Sequence, residues 1–142
     1  MPNFTLDARL QADCIALTQV ADIHILLMNN ALLPWFILVP ETEHTELHQL
    51  PEDQFQRLMT LQRHMARFIK ANFNIDKINT AAIGNLVSQL HVHVIGRCKD
   101  DHCWPGVVWG NAEKQPYSTS EVQSVKTKIG DHLNRNPLIM SS

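Results

Sequence analysis

The 142-residue chain has little that would draw it to a membrane or to a polyanion. No apolar run reaches the roughly 18 residues of a membrane span, because Asn29, Asn30 and Pro34 interrupt the most apolar stretch, residues 26–40. The formal net charge of −2 gives no general attraction for nucleic acid. We therefore expect no membrane and no nucleic-acid partner, and any affinity for phosphate must come from a local site.

Cysteine and processing signals are also scarce. The three cysteines, an odd number at uneven spacing, predict reduced thiols and a cytoplasmic protein rather than a disulfide framework. The N-terminus has no basic segment followed by an apolar one, so no secretion signal is expected. A Gly-x-x-x-x-Gly-Lys phosphate loop is absent, which excludes P-loop NTPase chemistry. Length and composition predict one globular domain.

The hydrophobic periodicity predicts an α+β domain with a largely antiparallel sheet. Apolar residues at helical spacing predict an amphipathic helix over residues 5–18. Two pairs of strands are predicted, at 21–28 with 34–39 and at 75–83 with 88–98, the second pair joined through Gly84-Asn85.

Two further helices follow from their start signals. Pro51, Glu52 and Asp53 are typical of the first turn of a long helix, whose apolar stripe runs from Phe55 to Ile69. Ser118 and Glu121 form a capping-box pattern that opens a last helix.

The segment 89–95, Gln-Leu-His-Val-His-Val-Ile, alternates strictly between polar and apolar residues. This pattern predicts a half-buried strand with Gln89, His91 and His93 on one face and Leu90, Val92 and Val94 in the core. Two imidazoles on one strand face suit a nucleophile and an acid/base or phosphate ligand, because an unperturbed imidazole titrates near ~6.5. The alternative is a pair of exposed surface histidines.

The segment and its flanks resemble the histidine triad (HIT) superfamily of nucleotide hydrolases and transferases. The family signature is His-φ-His-φ-His-φ-φ, where φ is apolar, and Gln89 stands here at the first position. The flanking matches are Gly96-Arg97, Gly84-Asn85, the strand 36–40 with a downstream His44, and Trp104-Pro105. The likeness spans residues 5–110 and implies a HIT-like fold with a five-stranded sheet. It places a HIT domain at residues 1–112 and a C-terminal helical extension, packed on the same domain, at 113–142.

The resemblance implies catalysis at the α-phosphorus of nucleoside phosphoanhydrides, phosphoramidates or dinucleoside polyphosphates. His91 would be the nucleophile that forms a covalent nucleotidyl-histidine intermediate, with its second ring nitrogen bonded to the main-chain carbonyl of residue 89. His93 would contact phosphate oxygens and help the leaving group depart, and Asn85 would donate its amide to an α-phosphate oxygen. The alternative is a catalytically weak nucleotide-binding module of the same fold.

Several other residues have two interpretations each. Gln89 either supports the nucleophile and substrate by hydrogen bonding or slows the chemistry, since glutamine cannot become a cation. Asn29 and Asn30 either bind a ribose hydroxyl or form a turn. Arg97 either meets a polyphosphate tail or is solvated, and the loop of Trp104 and Trp109 either covers the nucleotide or forms a subunit contact.

The resemblance also bears on metals and on assembly. Some family members hold a structural zinc with a Cys-x-x-Cys, a His after the Val-Pro strand and the first triad His. Here Cys14 stands alone and Gln89 replaces the last ligand, while Cys98, His102 and Cys103 do not have the spacing of a closed zinc site. We therefore predict no metal cofactor. A homodimer is implied, with pairing that would bury residues 31–39 and the stripe of the long helix.

Overall fold

Five antiparallel strands and three α-helices form the part of the chain that the computed structural model describes, residues 3–136. The predicted α+β architecture with a five-stranded sheet is confirmed. The last six positions of the predicted extension 113–142 lie outside the described residues. None of the described helices is long and apolar enough to cross a membrane. The strands are β1 Cys14–Val20, β2 Ile23–Met28, β3 Trp35–Pro40, β4 Lys77–Ala81 and β5 Val92–Arg97, in the sheet order β1-β2-β3-β5-β4, and the helices are α1 Ala8–Asp13, α2 Glu52–Asn72 and α3 Thr119–Asn134.

The helix predicted over residues 5–18 is wrong at both ends, because α1 spans only Ala8–Asp13. Strand β1 begins at Cys14 and pairs with β2, from Cys14 opposite Met28 to Val20 opposite Ile23, with a bulge between Ala16 and Thr18. The apolar residues that suggested one helix face are divided between the two faces of the sheet. Leu6, Leu10 and Cys14 pack on one side of it, and Leu17 packs on the other. Pairing with β2 supplies the backbone hydrogen bonds of this segment on one side of the strand.

The predicted strands 75–83 and 88–98 are both shorter in the structure. Strand β4 ends at Ala81, which pairs with His93, and β5 begins at Val92. Residues 82–91 therefore form an irregular connection that brings His91 to the entry of β5. Within it Gly84 has a φ of +69°, a backbone conformation that favours glycine.

The two faces of the sheet carry two separate apolar cores. Helices α2 and α3 cover the face that contains Leu90, Val92 and Val94. The opposite face contains Trp35, Ile37 and Ile95, packed against Leu10 of α1 and Val108. His91 and His93 lie on this second face, opposite Leu90, Val92 and Val94, as the alternation predicts. The predicted half-buried strand over 89–95 is wrong in two respects, because β5 begins only at Val92 and all six of its residues are buried. The histidines lie where α1 and the 98–118 segment approach the sheet.

Gly96 of β5 permits the close packing of α2 on the sheet. A Cβ atom there would lie 2.7 Å from Cγ2 of Ile69 and from Cγ of Pro34, and 2.8 Å from Cγ2 of Ile75. We expect Gly96→Ala to lower the free energy of unfolding by about 1–3 kcal/mol, because the neighbours are packed core groups. Urea denaturation measures the change. Gly130→Ala in α3 is the control, since its Cβ meets no atom within 4 Å; equal stability of both variants would contradict the prediction.

Candidate active site

His91 and His93 form a close, buried pair at the start of β5. Their ring centroids are 5.0 Å apart at an interplanar angle of 70°, and the residues are 7% and 5% exposed. Nδ1 of His91 lies 2.7 Å from the main-chain oxygen of Gln89. A carbonyl oxygen only accepts, so Nδ1 carries the proton and donates, which leaves Nε2 of a neutral His91 with a lone pair. The main-chain contact implied by the resemblance is present.

His93 is enclosed by two tryptophans. The indole Nε1–H of Trp35 donates to Nδ1 of His93 over 2.9 Å, and the ring of Trp109 meets the imidazole nearly edge-on at 5.1 Å. Burial, together with the repulsion of a charged His91, lowers the pKa of His93 to about 4. His93 is therefore neutral at physiological pH. No local pattern in the sequence singles out Trp35, because it lies on a different strand, two positions from the residue opposite His93.

A cleft of about 390 Å³ lies over the pair. Asn85 is at its exposed rim, beside Leu86, which is 85% exposed. The one formally charged side chain among the described residues that line the cleft is Asp13, at the end of α1. His91, His93 and Asn85, the residues that the resemblance implies for contact with the phosphate, thus line one cleft. The apolar lining is contributed by Leu10, Met28, Trp35, Ile37, Ile83, Leu86, Val87 and Trp109.

The side-chain amide of Gln89 forms two hydrogen bonds with the N-terminal segment. Its Oε1 accepts from the main-chain N–H of Asp7 over 2.8 Å, and its Nε2 donates to the main-chain oxygen of Thr5 over 2.9 Å. This segment leads into α1, whose Leu10 and Asp13 line the cleft. The side chain of Gln89 therefore fixes the segment that leads into α1 at the edge of the cleft, while its main-chain carbonyl accepts the hydrogen bond from His91.

We expect Gln89→Ala to release this N-terminal segment. The Asp7 amide loses its acceptor, so its hydrogen exchange should accelerate about tenfold, the equivalent of one net hydrogen bond. Exchange followed by NMR measures this, with Gln11→Ala as the control, since Gln11 Nε2 bonds the nearby Leu6 oxygen and leaves the Asp7 contact intact. An unchanged Asp7 rate would show that Gln89 does not hold the segment.

Asn29 and Asn30 lie in an adjoining cavity of about 310 Å³, which shares Trp35 and Trp109 with the cleft. Oδ1 of Asn29 accepts from the N–H of Tyr117 over 2.9 Å. Oδ1 of Asn30 accepts from the amide N–H groups of residues 32 and 115, both at 3.2 Å. The Asn29 oxygen therefore binds the segment before α3, and the Asn30 oxygen binds both that segment and the turn after β2. The structure does not place either asparagine among the groups that line the histidine cleft.

Arg97 and Trp104 also lie outside the cleft. Arg97 is buried, and its Nε donates to Oδ2 of Asp101 over 2.8 Å while its Nη1 donates to Oδ1 of Asn79 over 2.9 Å. The guanidinium lies 5.7 Å from the centre of the Trp104 ring. Arg97 is thus neither solvated nor directed to a phosphate. Burial opposes ionisation of Asp101, but hydrogen bonds from Arg97 and from main-chain N–H groups hold the pKa of that carboxyl well below its usual value.

One group of potential metal ligands occurs among residues 3–136: Asp101, His102 and Cys103, with donor atoms within 4.8 Å of one another. Its carboxylate is committed to Arg97 through both oxygens. A cation bound there would be close to the guanidinium, which also donates to the Cys103 sulfur over 3.5 Å. The donor set therefore suits an internal ion pair better than a metal.

Known proteins similar to this chain are histidine triad proteins. The HIT domain family model matches residues 9–100, and no curated protein sequence matches significantly. A histidine triad protein from Marinobacter aquaeolei is 40% identical, with a TM-score of 0.88 over 93% of this chain and 97% of that one. One from Sinorhizobium meliloti is 36% identical, with a TM-score of 0.89 over 94% and 99%. A diadenosine triphosphate hydrolase from Plasmodium falciparum shares the fold at 17% identity, with a TM-score of 0.63 over 92% and 80%.

Proposed function

The chain belongs to the HIT family, and from that premise we propose that it hydrolyses or transfers nucleotides at the α-phosphorus through a covalent adduct on His91. The observation that carries the proposal is the 2.7 Å bond between Nδ1 of His91 and the Gln89 carbonyl. This bond leaves the lone pair on Nε2 of an imidazole that shares a nucleotide-sized cleft with a second histidine. The similar diadenosine triphosphate hydrolase supports a nucleotide phosphate bond as the target.

The proposed reaction has two displacements at phosphorus. Nε2 of His91 attacks the α-phosphorus and forms a nucleotidyl-imidazole, while the bond from phosphorus to the leaving oxygen or nitrogen breaks and its electron pair stays on the leaving group, which takes up a proton if it is an amine. Water, or another acceptor, then attacks the same phosphorus and gives up a proton. The P–N bond breaks with its electron pair returning to Nε2 of His91, and the nucleoside monophosphate or the transfer product is released. Asn85 and His93 donate hydrogen bonds to oxygens on which charge develops.

The set of proposed substrate contacts is narrower than the sequence predicted. His91, His93 and Asn85 remain in it. The oxygens of Asn29 and Asn30, the amide of Gln89 and the guanidinium of Arg97 have structural partners.

Restoring the triad by Gln89→His should leave turnover present and change its magnitude or pH dependence, because the carbonyl that orients His91 belongs to the backbone.

The second candidate is a catalytically weak nucleotide-binding module. The loss of the first triad histidine favours it, because glutamine cannot take up a proton. A fluorogenic adenosine phosphoramidate and a diadenosine polyphosphate, each with and without chelator, separate the candidates. We expect release of nucleoside monophosphate that the chelator does not change. Chelator-sensitive turnover would indicate a metal-activated water instead, and binding without turnover on either substrate would indicate the module.

The proposal includes a homodimer and a cytoplasmic location. The surfaces that the sequence offered for dimerisation are internal: Trp35–Pro40 is buried, and so are Leu58, Met65 and Phe68 of the α2 stripe. What supports pairing of two chains is the edge strand β4, which among the strands of residues 3–136 is paired with β5 alone. Light scattering at micromolar concentration should give twice the mass of one chain.

Three cysteines without disulfides support a reducing compartment.

A further inference from the structure

The bond between Trp35 and His93 fixes which nitrogen of His93 carries the proton. Trp35 lies on β3, where its neighbour Ile37 is opposite His93 of β5, so the indole reaches the imidazole diagonally across the two strands. Nε1 of Trp35 is 2.9 Å from Nδ1 of His93. An indole N–H can only donate, so Nδ1 must accept and has no proton. Trp35 is itself only 7% exposed, so water does not replace this contact readily.

His93 and His91 are thereby held in opposite tautomers, because the partner of His93 is a hydrogen-bond donor and the partner of His91 is an acceptor. The carbonyl of Gln89 requires a proton on Nδ1 of His91 and leaves its Nε2 bare. The indole of Trp35 requires a bare Nδ1 on His93, so a neutral ring carries its proton on Nε2. We propose that Trp35 is a positioning residue that holds His93 as a neutral Nε2–H donor, so that His93 stabilises the reacting phosphoryl group by a hydrogen bond and not as an imidazolium.

The surroundings of His93 favour the neutral ring. The ring of His91 is 5.0 Å away by ring centroids, and the rings of Trp35 and Trp109 lie 5.8 Å and 5.1 Å from the imidazole. One group opposes this preference: Asp13 of α1, the one acid among the described residues that line the cleft, favours a charged ring. An imidazolium carries protons on both nitrogens, so charging His93 would break the bond from Trp35 as well as place a cation in a buried site.

This proposal rests on the proposed function only in its kinetic consequence. If His93 acts as a neutral donor, turnover should not follow a His93 titration near pH ~6.5, the ordinary range of histidine. The pKa of His93 is lowered to about 4, so the ring stays neutral from alkaline pH down to about that value. Loss of turnover between pH 8 and 6 must then come from another group.

The tautomers can be measured without any substrate. Uniformly 15N-labelled protein, with His93→Ala to assign the signals, gives the protonation pattern of each ring by long-range 1H–15N correlation. We expect His93 with its proton on Nε2 and His91 with its proton on Nδ1, and no imidazolium for His93 above about pH 5.5. A proton on Nδ1 of His93, or an imidazolium at pH 7, would overturn the proposal whether or not the protein is an enzyme.

A matched pair of variants then tests the role of Trp35. Trp35→Phe removes the donor, so the pKa of His93 should rise by about one unit and kcat should fall on the order of tenfold, with KM changed less. Trp109→Phe is the control, because it removes an indole that meets the same imidazole through its ring; the His93 tautomer and pKa should stay as in the wild type.

A wild-type pKa and kcat in Trp35→Phe would reject the role of Trp35. If Trp35→Phe does not fold, benzothienylalanine at position 35 replaces the N–H by sulfur in a ring of the same shape and gives the same comparison. If no substrate is turned over, the proposed function fails, while the tautomer and pKa measurements still decide this inference.

Discussion

Replacing His91 by Asn should abolish turnover, by at least about a thousandfold, while nucleotide affinity stays within about an order of magnitude. The carboxamide of asparagine keeps a polar group in the cleft but cannot form a nucleotidyl adduct. Steady-state release of nucleoside monophosphate measures the first effect, and calorimetric titration with a nucleoside monophosphate measures the second.

Rapid quenching with radiolabelled substrate tests the same step directly. The wild type should yield an acid-labile, protein-bound nucleotide, and His91→Asn should yield none. His44→Asn is the matched control, since His44 is an exposed histidine away from the cleft, and it should retain both turnover and adduct. Wild-type turnover by His91→Asn would mean that His91 is not the nucleophile.

Replacing Asp101 by Ala should destabilise the domain by about 3–5 kcal/mol, because it leaves the guanidinium of Arg97 buried without its counter-charge. The two side chains are only 2% and 4% exposed. The pKa of Asp101 is lowered in the folded state, so the stabilisation is present above the unfolded value of about 3.9 and is lost as the pH falls below it. Urea denaturation at pH 7 and at lower pH measures both effects.

A second ion pair between residues four positions apart provides the control for the Arg97–Asp101 pair. Arg57 and Asp53 also form an ion pair four residues apart, but the Asp53 side chain is 77% exposed. Asp53→Ala should therefore cost less than about 0.5 kcal/mol. Replacing both members of the buried pair, as in Arg97→Met with Asp101→Leu, should recover much of the loss of the single variant. If Asp101→Ala and Asp53→Ala cost the same, burial of the Arg97 pair is not what stabilises this loop.

The sequence by itself determined the features whose causes lie within a few residues. The strict alternation of residues 89–95 placed Leu90, Val92 and Val94 in the core and the two histidines on the opposite face, because a strand has a period of two. The capping pattern of Ser118 and Glu121 opened α3, and the Ser118 side chain accepts from the Glu121 N–H as the pattern requires. The flanking motifs were sufficient to indicate the family.

Only the tertiary structure decided which partner each polar side chain found. The amide of Gln89 bonds backbone 82 and 84 residues away, and the indole of Trp35 bonds an imidazole 58 residues away. Such contacts follow from strand order and from the path of connections, which leave no local pattern in the chain. The same holds for β1, because the spacing of its apolar residues fits a helix, and only its pairing with β2 makes it a strand. Residue type and period determine which face a side chain occupies, whereas its partner depends on which distant segment is folded against that face.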